Sequence, residues 1–234
     1  MSDMEQSSGH RSFHEKLDLL KQRLLQMSQR AEESLAVAVN AFLERNAGDA
    51  KAVLAADNEV DALEVEIEGL AISLLALQQP MARDLRFIVS AIKITGDLER
   101  VGDHAVNIAQ SANRMADLRA LFPAPPEIKE MAVRARNMLS DALDAMVRQD
   151  GVLGRDVCRR DDDVDKLHES LFRIMLTHMA EDPATISASL EMLLVSRNLE
   201  RVADLATNIA EDAVYLAEGK TIKHGLESRA GIVA

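Results

Sequence analysis

The chain has 234 residues, of which 47% are hydrophobic and only 3% are aromatic, with no tryptophan and few glycines or prolines for its length. This composition is typical of an all-α protein. The net charge of −12 and the lack of a basic cluster argue against direct binding to nucleic acid.

Segments that would direct the chain to or through a membrane are not apparent in the sequence. The first ten residues lack the basic start and apolar run of a signal peptide, and no stretch reaches the 18 or so apolar residues that a spanning helix needs. Cys158 is the single cysteine, so no disulfide can form within the chain. We therefore expect a cytoplasmic protein without direct membrane insertion.

Hydrophobic periodicity of three and four residues predicts six long helices. The first begins near Ser12 and ends at a break around residues 46–48, and residues 1–11 are predicted to form an irregular tail. The other five are predicted at residues 49–78, 82–118, 126–149, 152–180 and 184–218.

The second half of the chain repeats the first. Met27, Arg30 and Leu35 match Met131, Arg134 and Leu139 at an offset of 104 residues, whereas Glu99 matches Glu200 at an offset of 101. The second copy has therefore lost three residues around the turn between its second and third helices.

This repeat predicts two tandem antiparallel three-helix bundles joined by short loops. The proline-dense segment at 123–127 lies where a linker between bundles is expected. The predicted domains are 12–120 and 126–218, followed by a C-terminal tail at 219–234.

The clearest motif is a polar edge on the third helix of each copy. The segments ITGDLERVGDHAVNIA and VSRNLERVADLATNIA each carry an acid, then Asp four residues later and Asn after four more. At about 100° per residue these side chains stack along one edge that borders the buried stripe. The members are Glu99, Asp103 and Asn107 in the first copy and Glu200, Asp204 and Asn208 in the second.

The second helix of each copy carries an acid pair at the same spacing. If these helices pack beside the third ones, two acid pairs converge in each unit, and the small residues Gly102 and Ala203 allow close approach of the neighbouring backbone. Two carboxylates about 4 Å apart repel by roughly 4 kcal/mol at an effective dielectric constant near 20. Converging acids therefore need protons, cations or a metal, and Arg100 and Arg201 are expected to lie too far round the helix to neutralise them fully.

Oxygen-rich sites of this kind suit hard ions such as magnesium, manganese, calcium or ferric iron, with zinc as a further option. An ordinary solvated acidic face is the alternative reading of the same spacing. The candidate metal ligands are Asp57, Asp61, Glu99 and Asp103 in the first unit, and Asp161, Asp165, Glu200 and Asp204 in the second.

Sequence signals for catalysis are weaker than the pattern of acid pairs. Asp165 and His168 form half of a di-iron bundle motif, but Glu64 stands where the first unit would need its histidine. We expect His104 to be a surface histidine and Cys158 to be a small buried residue rather than a nucleophile. With no phosphate-binding glycine loop or nucleophile elbow in the chain, no enzyme is predicted.

Several segments together resemble the PhoU family of bacterial phosphate-signalling regulators. They are DNEVDALE, LLALQQPMARDLRFIVSAIKITGDLERVGDHAVNIA, NLERVADLATNIAEDAVYLAEG and EGKTIKH, and the resemblance runs from about residue 13 to 224. It implies two three-helix bundles, often assembled as homodimers or larger assemblies, and, as in some members, multinuclear iron or zinc clusters at the acid pairs. The second site departs from the family pattern because His168 replaces an acid and residues 182–190 are shortened.

The resemblance also implies a non-enzymatic regulator. Such proteins negatively regulate the phosphate-starvation two-component response by coupling the phosphate ABC transporter, through its ATPase subunit, to the sensor histidine kinase. This places the chain in the cytoplasm, peripheral to an inner-membrane complex. The alternative function is that of a carboxylate-bundle protein that binds or stores metal.

Overall fold

The computed structural model describes residues 2–78, 80–118 and 122–223, with side chains from Phe13 onward except at residues 77 and 78. These residues form long α-helices and one short 3-10 turn at Pro183–Thr185, with no strand in the described ranges, which confirms the all-α prediction. The helices are α1 (Ser2–Glu44), α2 (Ala47–Gln78), α3 (Ala82–Ala116), α4 (Pro126–Arg148), α5 (Gly151–Glu181) and α6 (Ile186–Glu218).

The first helix begins earlier than its apolar pattern. Ser2 is already helical, so the prediction of an irregular tail is wrong for residues 2–11, while Met1 lies outside the described residues. Apolar periodicity reports only those turns that reach a core. Met, Glu and Gln in this segment have good helix propensity, which favours a helix there without an apolar pattern.

The two copies begin their second helices in the same way. Arg45 and Gln149 both adopt the left-handed conformation, with φ of 57° and 53°. The next residue then caps the following helix: Asn46 Oδ1 accepts from the Gly48 amide at 2.9 Å, and Asp150 Oδ1 accepts from the Val152 amide at 2.9 Å. The duplication visible in the sequence is therefore also present in the backbone.

Polar contacts show that neighbouring helices within each copy are antiparallel. In the first, Arg23 on α1 bonds Glu66 at 2.8 Å, while Arg30 lies 3.3 Å from Glu59 earlier in α2. In the second, Arg134 of α4 bonds Asp163 at 3.1 Å, while Asp141, later in α4, bonds Arg160, earlier in α5, at 2.7 Å. Together with the mutual packing of α1, α2 and α3, and of α4, α5 and α6, this confirms two antiparallel three-helix bundles.

The bundles are joined side by side through α3 and α6, which also run antiparallel. Lys93 meets Asp212 at one end of this seam and Arg114 meets Glu191 at the other. The buried apolar side chains of both bundles form one continuous cluster. The domain boundaries at 12–120 and 126–218 stay a prediction, because residues 119–121 lie outside the described residues.

Helix α6 ends where the sequence predicted, at Glu218, and Gly219 follows with a φ of 71° that favours glycine. Residues 220–223 fold back along α6, and the rest of the predicted tail, residues 224–234, lies outside the described residues. None of the helices in the described ranges has the length and hydrophobicity of a membrane-spanning helix.

Candidate functional site

The predicted acid pairs lie on helices that pack together. In the first bundle, the charge of Asp103 acts on Asp57 across the contact of α2 with α3, and the charge of Asp61 acts on it from within α2. In the second, the charges of Asp204 and Glu200 act on Asp161 across the contact of α5 with α6. We call these the first cluster (Asp57, Asp61, Glu64, Glu99, Asp103) and the second cluster (Asp161, Asp165, Glu200, Asp204).

Within a pair, one acid lies closer to the core than the other. Asp57 and Glu99 are half-buried, whereas Asp61 and Asp103, one helical turn further along, are exposed. This gradient follows from the edge position, because residues four apart on a helix are displaced by about 40° and only one of them lies beside the apolar stripe. Each cluster therefore opens to solvent on its outer side.

Gly102 lets α2 approach α3 beside the first cluster. A Cβ atom added at Gly102 would lie 3.5 Å from Val60 Cγ1 and 3.9 Å from Asp57 Oδ1, which is ordinary van der Waals contact. Ala203, the equivalent residue of α6, is fully buried. A small residue at this position is therefore common to both bundles.

Burial and mutual repulsion raise the pKa values of the first cluster. For Asp57 the main cause is desolvation, followed by the charges of Asp61 and Asp103. The pKa of Glu99 is raised by desolvation and then by Asp103 and Glu64, while Arg100 lowers it. Glu64 was not among the predicted ligands, yet its pKa is raised as well, by desolvation and then by Glu68 and the cluster.

The second cluster is more strongly perturbed at one position. Desolvation, followed by the charges of Asp204 and Asp165, raises the pKa of Asp161 from 3.8 to about 6. A half-buried carboxyl with that pKa favours either a proton or a cation at its side. The need for a proton or a cation is what the sequence predicted for four converging acids.

Arg201 and His168 distinguish the second cluster. Arg201 Nη1 bonds Asp204 Oδ2 at 2.8 Å, and its Nε lies 3.6 Å from Glu200 Oε2, so it neutralises more of this edge than its helical angle suggested. His168 Nδ1 lies 2.9 Å from Ser196 Oγ. Because that hydroxyl donates to the Leu193 carbonyl, it accepts from the imidazole, which leaves His168 Nε2 as the free ring nitrogen.

The donor set fits a hard or borderline metal ion, since it consists of carboxylates whose mutual repulsion a cation would relieve. Yet among the side chains that the structure describes, no three from His, Cys, Asp and Glu converge closely enough to ligate one ion. The exposed acids Asp61, Asp103 and Asp165 would have to rotate toward their inner partners. The predicted ligands are therefore neighbours without being a preformed coordination shell.

Sequence reasoning missed a second group of acids, at the seam between the bundles. Asp212 is 1% exposed, and Lys93 Nζ and Lys223 Nζ lie 3.6 and 3.7 Å from its carboxylate oxygens. Desolvation, followed by the charge of Asp212, raises the pKa of Asp97 to about 6. The sequence does contain one signal for these acids, because Asp212 continues the four-residue series that runs through Glu200, Asp204 and Asn208.

Two other side chains also differ from expectation. His104 is not an ordinary surface histidine: it is half-buried at the seam, and its Nδ1 lies 2.9 Å from Asn198 Oδ1. Cys158 is half-buried rather than fully buried. Desolvation and then the charge of Glu211 raise the pKa of its thiol to about 11, which keeps it protonated at neutral pH and agrees with the prediction that it is not a nucleophile.

These features define the class of protein: an all-α chain built from a duplicated three-helix bundle, with one carboxylate cluster on each copy. The sequence profile of the PhoU domain matches it twice, at residues 24–112 and 128–213. The chain belongs to the PhoU family.

Known relatives cover nearly the whole chain. A phosphate-specific transport system accessory protein PhoU homolog of Clostridium acetobutylicum is 36% identical over 211 residues, which is 90% of this chain and 96% of the relative. Another PhoU homolog with the same description, from Caulobacter vibrioides, is 40% identical and covers 86% of this chain and 87% of its own length.

The crystal structure of PhoU from Pseudomonas aeruginosa has the same fold, with a TM-score of 0.86 and 34% identity. The match covers 89% of this chain and all of that one.

Proposed function

We propose that this chain is a regulatory accessory protein of a phosphate transport system. In this role it negatively regulates the phosphate-starvation response by coupling the phosphate ABC transporter to a sensor histidine kinase. The observation that carries the proposal is the similarity over both repeats to relatives described as accessory proteins of phosphate-specific transport systems. A non-enzymatic role accords with the lack of a catalytic motif in the sequence.

The proposed partners are the ATPase subunit of the transporter and the cytoplasmic part of the kinase, with the chain acting as a homodimer in the cytoplasm. Since the chain carries a net charge of −12, an anionic lipid surface would repel it. Contact with the membrane complex is therefore assigned to the partner proteins. Light scattering of the purified chain, alone and with the ATPase subunit, tests both associations.

Deleting the gene in its native host tests the regulatory role. We expect a phosphate-starvation reporter to stay expressed in phosphate-rich medium after deletion, and to be repressed again when the wild-type gene is restored from a plasmid. Normal repression in the deletion strain would contradict the proposal. Growth-matched cultures and direct measurement of cellular phosphate separate a signalling defect from a transport defect.

We further propose that the two clusters bind metal, with iron or zinc in multinuclear form, or manganese or magnesium, as the candidate ions. The observation in favour is that the raised pKa values of Asp57, Glu99 and Asp161 each have neighbouring carboxylates among their causes. A bound cation would supply the positive charge that offsets the repulsion between these carboxylates. Metal storage is the alternative role.

Elemental analysis of protein purified without chelators tests the metal proposal. We expect the variant with Glu99→Gln and Asp103→Asn to lose the metal of the first cluster, and Glu200→Gln with Asp204→Asn to lose that of the second. A matched control, Glu15→Gln with Asp18→Asn, makes the same charge change at exposed positions of α1. Equal metal content in all four proteins, or none in the wild type, would contradict it.

A further inference from the structure

The antiparallel seam of α3 and α6 creates two grooves that are counterparts through the duplication. At the offset of 101 residues, six of the eight positions that line the arginine groove described below map onto positions that line the other groove. The aspartate groove, of about 480 Å³, contains Asp97 and Asp212. The arginine groove, of about 410 Å³, is lined by residues that include His104, Ser111, Arg114, Arg197, Asn198 and Arg201.

The two grooves have diverged in charge. Asn198 occupies the position of Asp97, and Ser111 occupies that of Asp212, so these two acids of the aspartate groove are replaced by neutral residues in the other. Arg197 stands where the aspartate groove has Gly96. Leu194 in turn occupies the position of Lys93, so these exchanges remove two negative charges while one positive charge is gained and one is lost.

Two of the three arginines are held in place by carboxylates outside the groove lining. Arg114 Nε bonds Glu191 Oε1 at 2.7 Å and its Nη2 bonds Ser111 Oγ at 3.0 Å. Arg201 Nη1 bonds Asp204 at 2.8 Å. A guanidinium has five N–H donors, so each of these arginines retains donors that are not used by these partners.

The third arginine has no such partner. Arg197 is exposed and forms no ion pair with any residue that the structure describes. In a chain with a net charge of −12, an arginine left uncompensated between two other arginines is a local reversal of sign. Such a reversal attracts anions into the groove.

Neutral donors complete the lining. Ser111 is 1% exposed, and because its oxygen accepts from Arg114, its own hydrogen is available to donate. Asn198 Nδ2 donates to the Leu194 carbonyl at 2.8 Å, which identifies Oδ1 as the acceptor for His104 Nδ1. The imidazole is thereby oriented at the groove wall, with its other nitrogen free of that bond.

We propose that the arginine groove is a binding site for a phosphate-class oxyanion, either free inorganic phosphate or the phosphoryl group of a nucleotide. Guanidinium forks match the oxygens of such anions through paired, charge-assisted hydrogen bonds. A volume of about 410 Å³ accommodates either source. The groove borders the second cluster through the Arg201–Asp204 bond, but its lining contains no carboxylate of either cluster. The proposal does not depend on the proposed regulatory function.

Isothermal titration calorimetry of the full-length protein tests the site, with inorganic phosphate and metal-free ATP as separate ligands. We expect saturable binding of at least one anion, weakened about tenfold or more by Arg197→Gln because charge-assisted hydrogen bonds are lost. The matched control is Arg173→Gln, an exposed arginine of α5 outside the groove, which should bind like the wild type. Both arginines are exposed, so neither substitution should disturb the fold, and circular dichroism checks this.

A second variant uses the divergence of the grooves. Asn198→Asp installs the acid of the aspartate groove and should abolish binding, since it places a negative charge beside the anion. Binding of phosphate assigns the site to free phosphate, and binding of ATP alone assigns it to a nucleotide. The proposal is overturned if neither anion binds saturably to the wild type, or if Arg197→Gln and Arg173→Gln bind equally well.

Discussion

The two bundles are copies of one design that balance their acids in different ways. In the first cluster, Glu64 adds a further carboxylate at the position that His168 occupies in the second bundle. In the second, Arg201 pairs with Asp204 and Glu200, yet Asp161 carries the larger pKa shift. Duplication thus preserved the backbone positions of the acids while the compensating groups changed.

The bundles also exchange glycine and alanine at equivalent packing positions. Gly154 of α5 corresponds to Ala50 of α2, whereas Gly102 of α3 corresponds to Ala203 of α6. A Cβ atom added at Gly154 would lie 2.9 Å from the Ala210 carbonyl oxygen, while one at Gly102 meets only ordinary contacts. The α5–α6 backbones therefore approach closely at a place where the α2 copy already carries a side chain.

The largest expected change in stability comes from a substitution at Gly154, where α5 and α6 approach closely. Gly154→Ala should lower the free energy of unfolding by about 1–2 kcal/mol, because overpacking against α6 exceeds the gain in helix propensity. Urea unfolding followed by circular dichroism measures it. Stability equal to or above that of the wild type would show that α5 and α6 can separate without cost.

The next effect concerns Asp161, the half-buried acid of the second cluster. Asp161 has a pKa of about 6 in the folded chain against 3.8 normally, so the native state binds more protons than the unfolded state between these values. The free energy of unfolding therefore falls as pH rises through this window. In the presence of a chelator, Asp161→Asn should raise it by about 1–2 kcal/mol at pH 7 after allowance for solvent screening.

Urea titrations at pH 7.5 and at about pH 4 separate this effect from a general change in packing, since the gain should disappear at the lower pH. Asp18→Asn, an exposed substitution on α1, serves as the control and should change little at either pH. A gain of equal size at both pH values would contradict the electrostatic explanation.

A smaller effect with the opposite sign to that of Gly154 is expected at Gly102. Gly102→Ala makes the first bundle resemble the second, where Ala203 is buried without strain, and should raise the free energy of unfolding by about 0.5–1 kcal/mol. The same urea assay measures it beside Gly154→Ala. Two substitutions of the same sign would show that the bundles pack alike after all.

The smallest effect concerns the cation of the second cluster. Arg201→Gln should lower the free energy of unfolding by less than about 1 kcal/mol, because the Asp204 ion pair is partly exposed. In 1 M salt the difference should shrink, since the Debye length falls to about 3 Å. A salt-independent loss would instead indicate that Arg201 acts through packing.

The carboxylate edges could be predicted residue by residue because they depend only on helical spacing. Glu99 and Asp103 lie beside the buried stripe of α3 as their angles indicated, and the charge of Asp103 acts on Asp57 of α2. The close partnership of Arg201 with Asp204 was underestimated, since a long side chain reaches further than the angle of its Cα suggests. The helical start at Ser2 was missed because polar turns leave no apolar pattern.

The sequence by itself determined the helices, their duplication and the faces that carry acids, because each of these follows from residues a few positions apart. Only the tertiary structure decided that α3 runs antiparallel to α6, which brings Asp97 to Asp212 and Arg114 toward Arg197. Periodicity identifies the buried face of a helix, but which two faces meet depends on side-chain packing between segments that are distant in the chain. The charge reversal between the two grooves is visible only once that pairing is known.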